Sequence, residues 1–139
     1  MRQMEQRSIV VCVQNPGNCS RLIQAGKKVA EITGSQLQIL HVEPQTEEKD
    51  PMTLEALYQV AKDADAELTV FFSDNPVVTA ALYIENSGAD QVITGMPDME
   101  HTSFVDLLRQ FVPQVTISMV SDQGIAYHIY PQYSGISAR

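Results

Sequence analysis

The chain has 139 residues, 44% of them hydrophobic and 19% charged, a balance that suits one globular domain and excludes disordered and fibrous classes. Nine basic residues against seventeen acidic ones leave a net charge of −8, with residues 1–42 positive and the remainder strongly negative. No cluster of Lys and Arg is present to neutralise a phosphate backbone, and no apolar run is long enough to span a bilayer, so neither nucleic acid nor membrane is expected as a partner.

Residues 1–7 are a polar extension, and Ser8 to Val13 (SIVVCV) is a continuous β-branched run, the mark of a strand covered on both faces. Asn15-Pro16-Gly17-Asn18 breaks it, and from Cys19 the apolar residues Cys19, Leu22, Ile23, Gly26, Val29 and Ala30 recur at helical spacing. Asn18 is placed to cap this helix and Gly34 to close it in a left-handed conformation. Gln36 to Val42 is the second strand, and Glu43 to Asp50 an acidic loop. Pro51 suits the first turn of a second helix, with Leu54, Leu57, Tyr58 and Ala61 as its buried stripe. Glu67 to Ser73 is the third strand. Asn75-Pro76 caps and starts a third helix, buried through Val77, Ala80, Ala81 and Ile84 and ended by Gly88. Asp90 to Gly95 is the fourth strand. Ser103 to Val112 is a short helix carrying Phe104, Leu107, Leu108 and Phe111, and Val115 to Val120 is the fifth strand.

Strands alternate with helices throughout, which predicts an α/β fold: an open five-stranded parallel sheet with helices on both faces. The domain spans 8–120. In the tail, 121–139, Gly124 to Tyr130 alternates as a candidate sixth strand, and Pro131 to Arg139 reads as frayed.

Two cysteines, Cys12 and Cys19, match neither a redox pair nor a zinc pair. Both read as buried thiols of a reducing compartment, with a Cys19 thiolate activated by a helix start as the sharper alternative. His41, between Leu40 and Val42, reads as a satisfied core histidine. Asp98, Glu100 and His101 carry metal-ligating atoms at a spacing common by chance, so no metal is expected. Ser103 beside His101 lacks the strand-turn-helix elbow of a nucleophile, so no catalytic set is assigned.

The opening IVVCVQNPGNCSRLIQAGKKVAEITGSQLQILHVEP and the middle FFSDNPVVTAALYIENSGADQVITG together resemble the universal stress protein family. The version found within potassium-responsive sensor histidine kinases is the most similar, and the resemblance covers residues 8–120. It implies the adenine nucleotide alpha hydrolase-like fold, a cytoplasmic stress-response or signalling role, and a homodimer paired through the fifth strand by Val115, Ile117 and Met119. Members that bind ATP carry an aspartate after the first strand and a Gly-x2-Gly-x9-Gly-Ser/Thr loop after the fourth, whose backbone N–H groups and hydroxyl cradle phosphate.

Here Gln14 replaces the aspartate, with Asn15 beside it, and Val42 keeps the apolar wall of the adenine pocket. Gly95 matches the first glycine, Asp98 stands where the second belongs, and Thr102-Ser103 align with the last pair in a shortened loop. Asp98 and Glu100 oppose a polyphosphate, and Met96 to Phe104 holds no Lys or Arg. ATP is therefore disfavoured as a cofactor. The implied reading is a non-catalytic module with a degenerate nucleotide site, open to a small anionic or nucleotide ligand. An ATP-binding switch is the alternative. A dinucleotide or electron-transfer module would need a Gly-x-Gly-x-x-Gly turn, absent after the first strand.

Overall fold

The computed structural model describes residues 7–14, 19–45, 51–96 and 104–131. Among them the chain alternates as β1 (Ser8–Val13), α1 (Ser20–Thr33), β2 (Gln36–Glu43), α2 (Pro51–Asp63), β3 (Glu67–Phe72), α3 (Pro76–Ser87), β4 (Gln91–Gly95), α4 (Phe104–Phe111), β5 (Thr116–Val120) and β6 (Ala126–Ile129). One sheet runs in the order β3-β2-β1-β4-β5-β6. Its first five strands are parallel and β6 closes antiparallel onto β5, with Ser118 opposite His128.

All six residues of β1 are buried because the strand lies at the centre of the sheet with a helix layer on each side. Ile9, Val11 and Val13 join the core beneath α1 and α2, with Ile23, Ile39 and Leu57. Val10 and Cys12 join the core beneath α3 and α4, with Leu40, Ile84 and Leu108. Gly26 sets the spacing on the first side: a Cβ there would lie 2.5 Å from Val11 Cγ2. Gly34 and Gly88 take left-handed φ values of 71° and 73° at the ends of α1 and α3, as their sequence positions predict.

Several local expectations are corrected. The helix α1 starts with Cys19 at its N-cap position, and Asn18 lies outside the described residues. Glu43, expected in the loop, is the last residue of β2. Tyr58 is 56% exposed, since the face of α2 that meets the sheet is centred on Leu57, Ala61 and Ala64, and Tyr58 stands about 100° off that line. Phe111 is 52% exposed for the same reason, because Val105 and Leu108 are the buried residues of α4. Asn75 occupies the N-cap of α3 without a side-chain capping bond. Ser73 does that work instead, its Oγ accepting from the Asn75 N–H at 3.0 Å and from Thr79 Oγ1 at 2.8 Å.

Candidate functional site

In an open parallel sheet, ligands bind beyond the carboxyl ends of the strands, where the strand order reverses. Here the order reverses between β1 and β4. Next to that gap, on the α3 and α4 side, the ends of β1 and β2 contribute Cys12, Val13, Gln14, Leu40 and Val42 to one small cavity. The first turn of α3 adds Pro76 and Ala80, and the first residue of α4 adds Phe104. The cavity encloses about 30 Å³, close to the share of one water molecule in the liquid. Gln14 and Val42, assigned to the site from sequence, thus line one cavity, whereas Cys12, Pro76 and Phe104 are additions. Their signal was present as an apolar residue near each strand end or helix start, but period alone does not say which of them converge.

His41, on β2, is buried outside this lining. Its Nδ1 lies 2.6 Å from the Val13 carbonyl oxygen and its Nε2 lies 3.1 Å from Glu43 Oε2. The ring ties the end of β1 to β2. His41 is a satisfied core histidine, as expected. Burial pushes the Cys12 thiol up to about 12. Cys19 is buried, and its thiol is also raised, by burial, against the smaller opposing effect of a backbone hydrogen bond. That corrects the activated-thiolate alternative, because desolvation outweighs whatever the start of α1 offers.

At the gap itself Gly95 ends β4, and among the described residues a Cβ on it would meet nothing nearer than Leu22 Cδ1 at 3.9 Å. Arg21, in the first turn of α1, was missed because basic residues were sought only within 96–104. Its guanidinium reaches Asp122 Oδ1 at 4.0 Å, while its Nε is buried with no partner among the described residues. Asp122 is almost fully exposed, so this ion pair contributes little and the Arg21 charge stays available. Asn15, Asp98, Thr102 and Ser103 lie outside the described residues, as do Glu100 and His101.

At the other sheet edge, β6 pairs along β5 from Ile117 to Val120. Ser118 Oγ accepts from Gln91 Nε2 at 3.0 Å and shares a hydrogen bond with His128 Nδ1 at 2.7 Å, fastening β6 through three adjacent strands. Val115 and Ile117 are buried within the protomer and Met119 is half-buried.

No protein-family model matches the chain, and no characterised protein matches it by sequence. Solved structures do. A universal stress protein from Archaeoglobus fulgidus is 16% identical with a TM-score of 0.59, over 75% of this chain and 86% of that one. A universal stress protein in complex with cAMP is 16% identical with a TM-score of 0.64, over 82% and 95%. The Archaeoglobus fulgidus protein in complex with dAMP is 14% identical with a TM-score of 0.56, over 78% and 92%. At this level of identity the likeness is one of fold, and the chain has the fold of the universal stress proteins.

Proposed function

We propose that the chain is a non-catalytic stress-response or signalling module of universal stress protein type that takes a small adenine nucleotide at its strand ends. The observation that carries this reading is the convergence of Gln14, Val42, Cys12 and Phe104 on one cavity beside the β1–β4 gap. Solved neighbours of the same fold hold cAMP and dAMP, both monophosphates, which supports a ligand with one phosphate. Such a ligand places its base against Val42 and its single phosphate toward Gly95 and Arg21. A triphosphate meets the short, acidic 96–104 segment instead. The alternative, an ATP-binding switch, requires magnesium to bridge Asp98 or Glu100 to phosphate.

Self-association belongs to the same reading. Because β6 occupies the outer edge of β5, a two-fold pairing of sheets runs along β6, the last strand of the sheet among the described residues, rather than through Val115, Ile117 and Met119 directly. Two buried free thiols and no membrane-length helix among the described residues agree with a reducing compartment such as the cytoplasm.

The test is a thermal titration of the purified protein with AMP, cAMP and ATP, each with and without magnesium. AMP or cAMP at about 100 Kd stabilises the fold by about 2.7 kcal/mol, and magnesium-ATP adds nothing beyond it. Stabilisation by magnesium-ATP alone overturns the monophosphate reading. Sedimentation showing only monomer at tens of micromolar removes the dimer.

A further inference from the structure

Among the described residues β3 ends the sheet, and its ladder with β2 occupies one of its two sides. The register runs unbroken from Gln38 opposite Glu67 to Glu43 opposite Phe72, so no bulge turns the strand away from a newcomer. Successive residues of such a strand turn their N–H and C=O groups to opposite sides. The Ser73 N–H donates to the Glu43 carbonyl at 2.8 Å, so Thr69 and Phe71, in step with Ser73, face β2. Leu68 and Val70 therefore turn their backbone groups outward. At the carboxyl end Gln45 Nε2 donates to the Phe72 carbonyl at 3.1 Å, which caps the strand there. Sheets guard an outer side with lysine, proline, a bulge or a short strand. Residues 68–72 (LTVFF) hold neither lysine nor proline, and Phe71 and Phe72 are 37% and 46% exposed.

The charges around this side decide what fits it. From residue 62 to residue 75, Asp63, Asp65, Glu67 and Asp74 stand against Lys62 alone. The first three carboxylates are exposed at the amino end of β3, and Asp74 is exposed just past its carboxyl end. A second copy pairing antiparallel about Val70 sets Glu67 opposite Ser73 and Asp65 opposite Asn75. That brings the acidic ends of the two copies together, and like charges so placed repel. We infer that the outer side of β3 takes an extended segment of another protein, β-branched in its middle and carrying Lys or Arg at its ends. The backbone of that segment pairs with Leu68 and Val70, and its cations meet the carboxylates. Its alternate side chains lie along Thr69 and Phe71 on the α3 face, where the Phe71 ring meets Tyr83 edge-on at 6.0 Å. On the other face they lie along Leu68, which packs against the cluster of Leu57 and Ala61.

The probe is a labelled synthetic peptide of alternating threonine and valine with two lysines at each end, titrated against the full chain and followed by fluorescence anisotropy. Saturable binding that weakens as salt rises is expected. Hydrogen exchange at the Leu68 and Val70 amides should slow, while Thr69 and Phe71, already bonded to β2, change little. The same peptide N-methylated through its threonine and valine run has no N–H to offer and should not bind. Asp65→Asn combined with Glu67→Gln should weaken the parent peptide about fivefold. Val70→Pro gives up an outward N–H and no bond to β2, so it should fold, as circular dichroism verifies, and lose the peptide. Should that variant not fold, the N-methylated peptide still decides. The inference is overturned if the parent peptide does not bind, or if the N-methylated one binds equally well, since attraction of charge alone would then suffice. Self-association of the wild type that Val70→Pro removes also overturns it, because the side would then be a contact between copies.

Discussion

On the side of β1 facing α1, Val11 lies so near the backbone of Gly26 that no Cβ fits between them. On the opposite side and one residue further along, Cys12 borders a small cavity that Pro76 and Ala80 of α3 and Phe104 of α4 line together. Both sides belong to one strand whose six residues are all buried. The first contact spends its close approach on cohesion, since the density of a packed interior leaves no room for rearrangement. The second leaves a small gap between the sheet and the starts of two helices. Stability and ligand access are thus separated across the thickness of a single sheet.

The largest effect expected to test this contrast is alkaline. The Cys12 thiol rises from 9.0 to about 12 on folding, so above pH 9 the unfolded chain holds fewer protons than the folded one. Stability from this group is complete below pH 9 and falls by about 1.4 kcal/mol per pH unit up to pH 12, about 4 kcal/mol in all. Urea unfolding from pH 8 to 11 measures the slope, and Cys12→Ala should flatten it. Equal slopes in the two proteins would show that the cavity side of β1 is not as dry as the burial of Cys12 requires.

Next in size is Gly26→Ala. The added methyl meets Val11 Cγ2 and Leu37 Cδ1, and overpacking of this kind costs about 1–3 kcal/mol, only partly offset by the helix preference of alanine. The midpoint of denaturant unfolding reads it. The smallest effect belongs to Gly95→Ala, whose Cβ has Leu22 Cδ1 at 3.9 Å as its nearest neighbour, so stability should stay within about 0.5 kcal/mol of wild type. The same substitution at the end of β4 is instead expected to weaken AMP binding in calorimetry, if backbone approach is what keeps a glycine there.

Much of this architecture was legible beforehand. Every strand from β1 to β5 and every helix was anticipated within a residue or two, because β-branched runs and helical spacing are local properties of the chain. The Gly34 and Gly88 closures followed from turn chemistry in the same way. Orientation about helix axes was less legible. Tyr58 and Phe111 were placed inside on apolar character, yet each lies just past the margin of the buried face. The N-cap position of α3 at Asn75 was legible, but not that its side chain makes no capping bond and that Ser73 Oγ accepts the Asn75 N–H.

The site divides along the same line. Gln14, Val42 and Gly95 were expected at the site from the family resemblance, and of these Gln14 and Val42 line the cavity. Phe104 was seen only as an apolar helix residue, and Arg21 was overlooked because its relevance depends on where α1 begins relative to β4. Sequence by itself determined the order and type of the elements, and with them the parallel sheet and its switch point, since the spacing of apolar residues along the chain dictates these. Only the tertiary structure decided that β6 covers β5, that Phe104 and Val42 line one cavity, and that Arg21 reaches Asp122. Each of these is a meeting of residues far apart in the chain, governed by sheet pairing and by the rotation of helices on the sheet, which no local period encodes.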